Sequence, residues 1–205
     1  MMNNKDRDMV RRHIIIITDG DDVARQVLQQ VAKDIGGRCI TRSAGNPTPL
    51  SGEEIVDLIL QAKQEPVLVM FDDNGKAGYG SGESAMLQVA MHPSIEVLGV
   101  IAVASNTART KCAHADVVID AEGRIVEQGV DKDGDVLPSR EKCIFGDTVE
   151  TLDQLHIPII VGIGDIGKMK GRDHIRYGAP VTHKAVEIIL ERSGCHGQAN
   201  GKENN

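Results

Sequence analysis

HIIIITDGDD (13–22) places four isoleucines in a row and follows them, without a spacer, by a threonine, a glycine and three aspartates. A run that is apolar at every position, rather than at alternate ones, suits a strand buried on both faces, and such strands belong to parallel sheets covered by helices. Three further runs end in the same way: VLVMFDDNG (67–75), VLGVIAVASNT (97–107) and PIIVGIGDIGK (158–168). Together they predict strands that deliver acidic, hydroxyl and glycine residues to one rim of a buried sheet, where open α/β domains keep their ligand sites.

Helical patterns fill the intervals between the runs. Val23, Val27, Leu28 and Val31 make an apolar stripe after the first strand, and Gly36–Gly37 ends it. RCIT (38–41) reads as a second strand. Ser51 with Glu54 three residues later has the form of a capping box, opening a helix whose buried face is Ile55, Leu58 and Ile59. Pro66 introduces the third strand, the glycine-rich loop Gly75 to Gly82 leads into a helix over 81–91, and TVETLDQL (148–155) and PVTHKAVEIILERSG (180–194) read as two more helices. Between them, VVID (117–120) and RIVEQGV (124–130) flank a tight turn and suggest a small β extension near 112–147. Alternating strands and helices place the chain in the doubly wound α/β class, Rossmann- or flavodoxin-like, with a mainly parallel sheet and helices on both faces. Residues 10–194 read as a single domain, with polar, flexible tails at 1–9 and 195–205.

Composition narrows the function. The chain has 205 residues, with 23 Lys and Arg against 30 Asp and Glu, and a formal charge of -7. That balance repels polyanions, and two Tyr, two Phe and no Trp leave no stacking platforms for single strands, so nucleic acid is excluded as a partner. No apolar segment approaches the roughly 18 residues of a membrane span, and the four isoleucines after Arg11 and Arg12 are too few for a signal-peptide core. A soluble chain without a signal peptide is the expectation. Cys39, Cys112, Cys143 and Cys195 form no C-x-x-C pair and read as free thiols in a reducing compartment.

The strand ends carry the candidate chemistry. Asp19, Asp21 and Asp22 after the first strand would meet Asp72 and Asp73 after the third if those strands are neighbours, and crowded carboxylates suit a hard cation such as magnesium or calcium. Asp19 and Asp72 are the pair best placed to hold one. Ser105 and Lys168 would complete a layout like that of a phosphoacceptor domain, although Lys168 lies several residues beyond its strand. The competing reading gives these aspartates to helix caps and turns.

GIGDIGKM (162–169) matches two motifs in part. Gly162, Gly164 and Gly167 spell G-x-G-x-x-G, and Gly162 to Lys168 spell G-x-x-x-x-G-K, but Met169 stands where the magnesium-binding hydroxyl belongs. No acidic strand end follows about 20 residues on, as a dinucleotide site requires. The loop, with Asp165 at its centre, remains a candidate anion site through its amides and Lys168. DKDGD (131–135) begins like an EF-hand loop but has Val136 at the glycine position and Lys142 in place of the bidentate glutamate, so it reads as a surface turn. There is no G-x-S-x-G elbow and no close histidine pair. No catalytic residue and no cofactor is assigned, beyond the magnesium or calcium that the rim would suit.

TDGD (18–21), GGRCI (36–40), SAGNPT with LSG (43–52), VMFDD (69–73), HPSIEVLGVIAVASNT (92–107), VDKDG (130–134), GDTVETLD (146–153), PIIVGIGDIGKMKGRD (158–173) and AVEIILERSG (185–194) together resemble the stage V sporulation protein AE family in its soluble form. The likeness spans residues 11 to 194. It implies a role in the operon whose membrane members form the spore's channel for dipicolinic acid and calcium, as a component peripheral to the spore inner membrane that supports germination. Its partners would be other channel-operon or germination proteins. Two functions then compete: a non-catalytic docking protein, and a ligand sensor that binds a divalent cation, phosphate or dipicolinate at the rim. A phosphoacceptor at Asp72 is a weaker third.

Overall fold

The computed structural model describes residues 11–74, 80–105, 112–138, 141–146 and 148–194; the two tails and most of the Gly75 to Gly82 loop lie outside them. Strand β1 (Arg12–Ile17) is the hub of the sheet. Its Ile14 and Ile16 face one hydrophobic core and its Ile15 and Ile17 the other, which is why every position in the run is apolar.

Helix α1 (Asp22–Asp34) follows, capped by Asp21, whose carboxylate accepts from the Val23 and Ala24 amides. Its buried stripe is Ala24, Val27, Leu28, Val31 and Ala32, while Val23 is half-exposed at the helix start rather than part of the stripe. Strand β2 is only Arg38–Cys39. Helix α2 (Gly52–Leu60) opens with the Ser51–Glu54 capping box and buries Ile55, Val56 and Ile59, with Leu58 at the margin. Strand β3 (Val67–Met70), helix α3 (Ser81–Ala90) and strand β4 (Ile95–Val103) come next. Strand β9 (Ile160–Ile163) and helix α4 (Pro180–Ser193) complete the frame, and Gly194 ends α4 in the left-handed conformation.

Five strands run parallel in the order β2-β3-β1-β4-β9. Helices α1 and α4 cover one face and α2 and α3 the other, so the domain is doubly wound. With β3, not β2, beside β1, the order departs from both the 3-2-1 and the 2-1-3 arrangements of the common doubly wound folds. The chain leaves β1 through α1 toward β2 at one edge and leaves β4 toward β9 on the opposite side. The crevice at the carboxyl ends of β1 and β4 is therefore the switch point.

The β structure expected between β4 and β9 is present in two pieces. Strands β6 (Val117–Ile119) and β7 (Ile125–Val126) form a hairpin, but β6 also pairs in parallel with β9, so the hairpin extends the main sheet. The separate β extension is the two-stranded pair β5 (Ala113–His114) and β8 (Cys143–Ile144). Residues 149–154 wind as a 3-10 helix rather than an α-helix. Six residues that bury Val149 and Leu152 against the core give too few i→i+4 bonds to hold a regular helix.

Cys112 and Cys143 are joined by a disulfide, which corrects the expectation of free thiols for this pair. The antiparallel register of β5 and β8 sets His114 opposite Cys143 and leaves Cys112 diagonally across, with Cα atoms 5.5 Å apart, well inside the reach of a disulfide. Cys39 is a free, buried thiol whose pKa is pushed up to about 12 by burial.

Candidate functional site at the carboxyl ends of the strands

Three carboxylates converge at the switch point. Asp19, Asp21 and Asp165 each place one oxygen within 4.8 Å of the others. Asp19 and Asp21 arrive directly from the end of β1. Asp165 comes from the loop after β9, two strands away, because that loop folds back across the end of β4 onto α1. Gly167, at φ 73°, marks the contact: a side chain there would lie 2.8 Å from Val23 Cγ1 and 2.7 Å from Val27 Cγ2.

Lys168 bridges two of the three. Its Nζ donates to Asp21 Oδ2 at 2.5 Å and to the Asp165 carboxylate at 2.9 and 3.0 Å. The lysine expected to be displaced from its strand is returned to the rim by the loop. Burial works against the Lys168 charge, but the hydrogen bonds to both carboxylates outweigh it and raise its pKa. Asp21 is lowered because, against its partial burial, Lys168 and the amides of Val23 and Ala24 favour the anion. Asp165 is raised by burial, which Lys168 only partly offsets.

Asp19 is the outlier. It is 8% exposed; Oδ1 accepts from the Asp21 amide at 3.1 Å, and Oδ2 is buried without a hydrogen-bond partner among the described residues. Burial first, and then the Asp21 charge, push its pKa up to about 7. A carboxyl whose folded value stands above its unfolded one binds its proton earlier in the native state as pH falls. Its stabilising contribution is therefore fully present below the ordinary value of 3.8 and is lost as pH rises through about 7. Asp19→Asn keeps the shape and removes the charge, so in metal-free buffer it should gain about 1–3 kcal/mol near pH 8.5, a gain that shrinks steadily toward about pH 4. Urea unfolding across that range checks it; equal stability of the two proteins at alkaline pH would show that the charge is already compensated.

The other predicted residues lie elsewhere. Asp72 ends β3 beside β1, where a side chain on Gly20 would come within 2.9 Å of its Cβ, but it is not a member of the three-carboxylate group. Its Oδ1 accepts from the Asn74 amide. Asp73 is fully buried and caps α3, accepting from the Gly82 and Glu83 amides at 2.7 and 2.8 Å; here the helix-cap reading of a strand-end aspartate holds. The Ser105 amide donates to the Phe145 carbonyl at the end of β4.

The G-x-G-x-x-G glycines serve packing. A side chain on Gly162 would meet Ile144 at 2.5 Å, and one on Gly164 would meet the Gly134 amide and the Lys132 carbonyl at 2.7 and 2.9 Å. Gly167 leads into a 3-10 turn at Met169–Gly171, not into a helix that could offer its N-terminus to an anion. The 131–135 turn closes on itself, with Asp131 Oδ1 accepting from the Asp133 and Asp135 amides, and its Lys132 carbonyl accepts from the Asp165 amide. It is a surface turn that buttresses the rim.

One residue of the site's framework has no local sequence signal. Asp173 is fully buried and accepts four hydrogen bonds: Gly167 N at 2.9 Å, Val181 N at 2.8 Å, Thr182 N at 3.0 Å and Thr182 Oγ1 at 2.6 Å. It caps α4 from seven residues before the helix and ties the loop that carries Asp165 and Lys168 to that helix. A groove lined by Arg38, Thr41, Arg42, Leu58 and Lys63 opens beside β2 and contains none of the predicted site residues.

No curated protein and no solved structure matches the chain. The family model of stage V sporulation protein AE1 matches residues 13–193, which takes in every described strand and helix but the first residue of β1. Among the described residues no helix is long and apolar enough to cross a membrane. With so much of its length matched, the chain belongs to the stage V sporulation protein AE family.

Proposed function

We propose that this chain is a soluble, non-catalytic accessory component of the dipicolinic acid channel system, acting in sporulation and germination by docking at the spore inner membrane on proteins of its own operon. Family membership carries the reading, because it implies a sporulation-related role in the SpoVA system. A role without chemistry of its own is supported by how the motif residues are used. Gly162, Gly164 and Gly167 make close backbone and side-chain contacts, and Asp73 and Asp173 serve helix N-termini.

Co-flotation of the full chain with lipid vesicles tests docking. The protein should float with vesicles that contain the operon's membrane proteins and stay behind with empty ones, and it should turn over no nucleotide. Equal flotation on both kinds of vesicle, or measurable turnover, would count against it. A second reading, the ligand sensor, is favoured by one observation: the buried, unpartnered Oδ2 of Asp19 at the rim.

A further inference from the structure

We infer that Asp19, Asp21 and Asp165 form a binding site for a hard divalent cation of magnesium size, for which the ammonium of Lys168 competes. The inference deepens the sensor reading by naming its ligand class and residues, and it does not depend on docking.

Two independent observations carry it. The first is convergence: three carboxylates, each with an oxygen within 4.8 Å of the other two, at the switch point of the sheet. The second is Asp19 Oδ2, a buried acceptor without a donor among the described residues. Buried acceptors are nearly always satisfied, and leaving one bare is costly. The unmet oxygen belongs to one of the three converging carboxylates, the other two of which accept from Lys168.

The donor set is already held in place. Asp19 is fixed through Oδ1 by the Asp21 amide, and Asp21 through its own Oδ1 by the first amides of α1. Asp165 is fixed through its backbone amide, which donates to the Lys132 carbonyl. Each carboxylate thereby keeps at least one oxygen that no backbone group claims. Lys168 satisfies Asp21 and Asp165 but leaves the group, three carboxylates against one ammonium, with an excess of negative charge. Its side chain is 40% exposed, so it can swing into solvent when a cation takes its place. Three protein oxygens are too few for calcium, which takes six to eight, but they suit magnesium, which retains several of its waters. Partial exposure of Asp21 and Asp165 leaves room for those waters.

Calorimetric titration of the metal-free full chain with magnesium, manganese and calcium chloride, each alone, tests the site. Saturable one-site binding of magnesium and manganese is expected, with calcium weaker. Asp165→Asn, at a partly exposed position that a folded chain tolerates, should weaken binding at least about tenfold, and Lys168→Met should tighten it by about as much. Circular dichroism confirms the fold of each variant. Absence of saturable binding in both the parent chain and Lys168→Met overturns the site, as does binding that Asp165→Asn leaves unchanged or that calcium alone displays. Cation binding that leaves vesicle docking unaltered would remove the sensor reading while leaving the site standing.

Discussion

Asp173→Ala is expected to lose about 3–5 kcal/mol of folding stability, as expected when one partner of a fully buried hydrogen-bonded network is removed. The four donors to Asp173 come from three places: the 164–173 loop through Gly167, the first turn of α4 through Val181 and Thr182, and the Thr182 hydroxyl. Residue 179, immediately before α4, is an alanine that offers no side-chain cap, so the helix depends on this distant carboxylate for its orphan amides. The negative charge also lies at the positive end of the helix. Alanine would leave these donors buried and unpaired and would release the loop that brings Asp165 and Lys168 to the rim. Urea unfolding should show a lower midpoint, and cation binding should weaken in parallel. Asp173→Asn, which keeps one acceptor oxygen, should lose roughly half as much. A loss under about 1 kcal/mol for alanine would mean that water replaces the carboxylate and that the loop is held by other contacts.

The Cys112–Cys143 disulfide should contribute about 3–4 kcal/mol, chiefly by restricting the unfolded chain, since it closes a loop between cysteines 31 residues apart. That loop contains the β6–β7 hairpin at the edge of the sheet and the 131–135 turn that supports Asp165, yet its strands β5 and β8 pair over only two residues. So short a pairing holds little by itself, and the covalent link fixes the ends of the excursion to each other. Equilibrium unfolding of the parent chain with and without dithiothreitol, alongside a Cys112→Ser, Cys143→Ser double variant, measures it. The reductant should destabilise the parent to the level of the double variant and leave the variant unmoved. If reduction has no effect, the two thiols are not linked in the folded protein and the original free-thiol reading returns.

Much of the frame was legible because it is written in short-range patterns. Ile14 to Ile17 announced a strand buried on both faces, Ser51 with Glu54 announced a helix start, and Gly194 a helix end; each depends on residues no more than four apart, within reach of strand and helix periodicity and capping. The TVETLDQL segment, expected as a helix, winds as a 3-10 helix because a short segment of mixed pattern takes its conformation from what it packs against.

The candidate site divides along the same line. The sequence by itself determined that acidic residues gather at strand ends, that the G-x-G-x-x-G and G-K segments lack their required companions, and that the chain has the family's ordered blocks. Only the tertiary structure decided which aspartates meet. Asp72 and Asp73 are neighbours in sequence, yet Asp73 turns to α3 and neither joins the three-carboxylate group. Asp165 joins Asp19 from 146 positions away because Gly167 lets its loop lie on α1 and Asp173 anchors that loop to α4. Chain direction after a strand end is set by the packing of loops on helices, a long-range contact that no local period encodes. That is why the residues of the rim could be named from the sequence while their partnership could not.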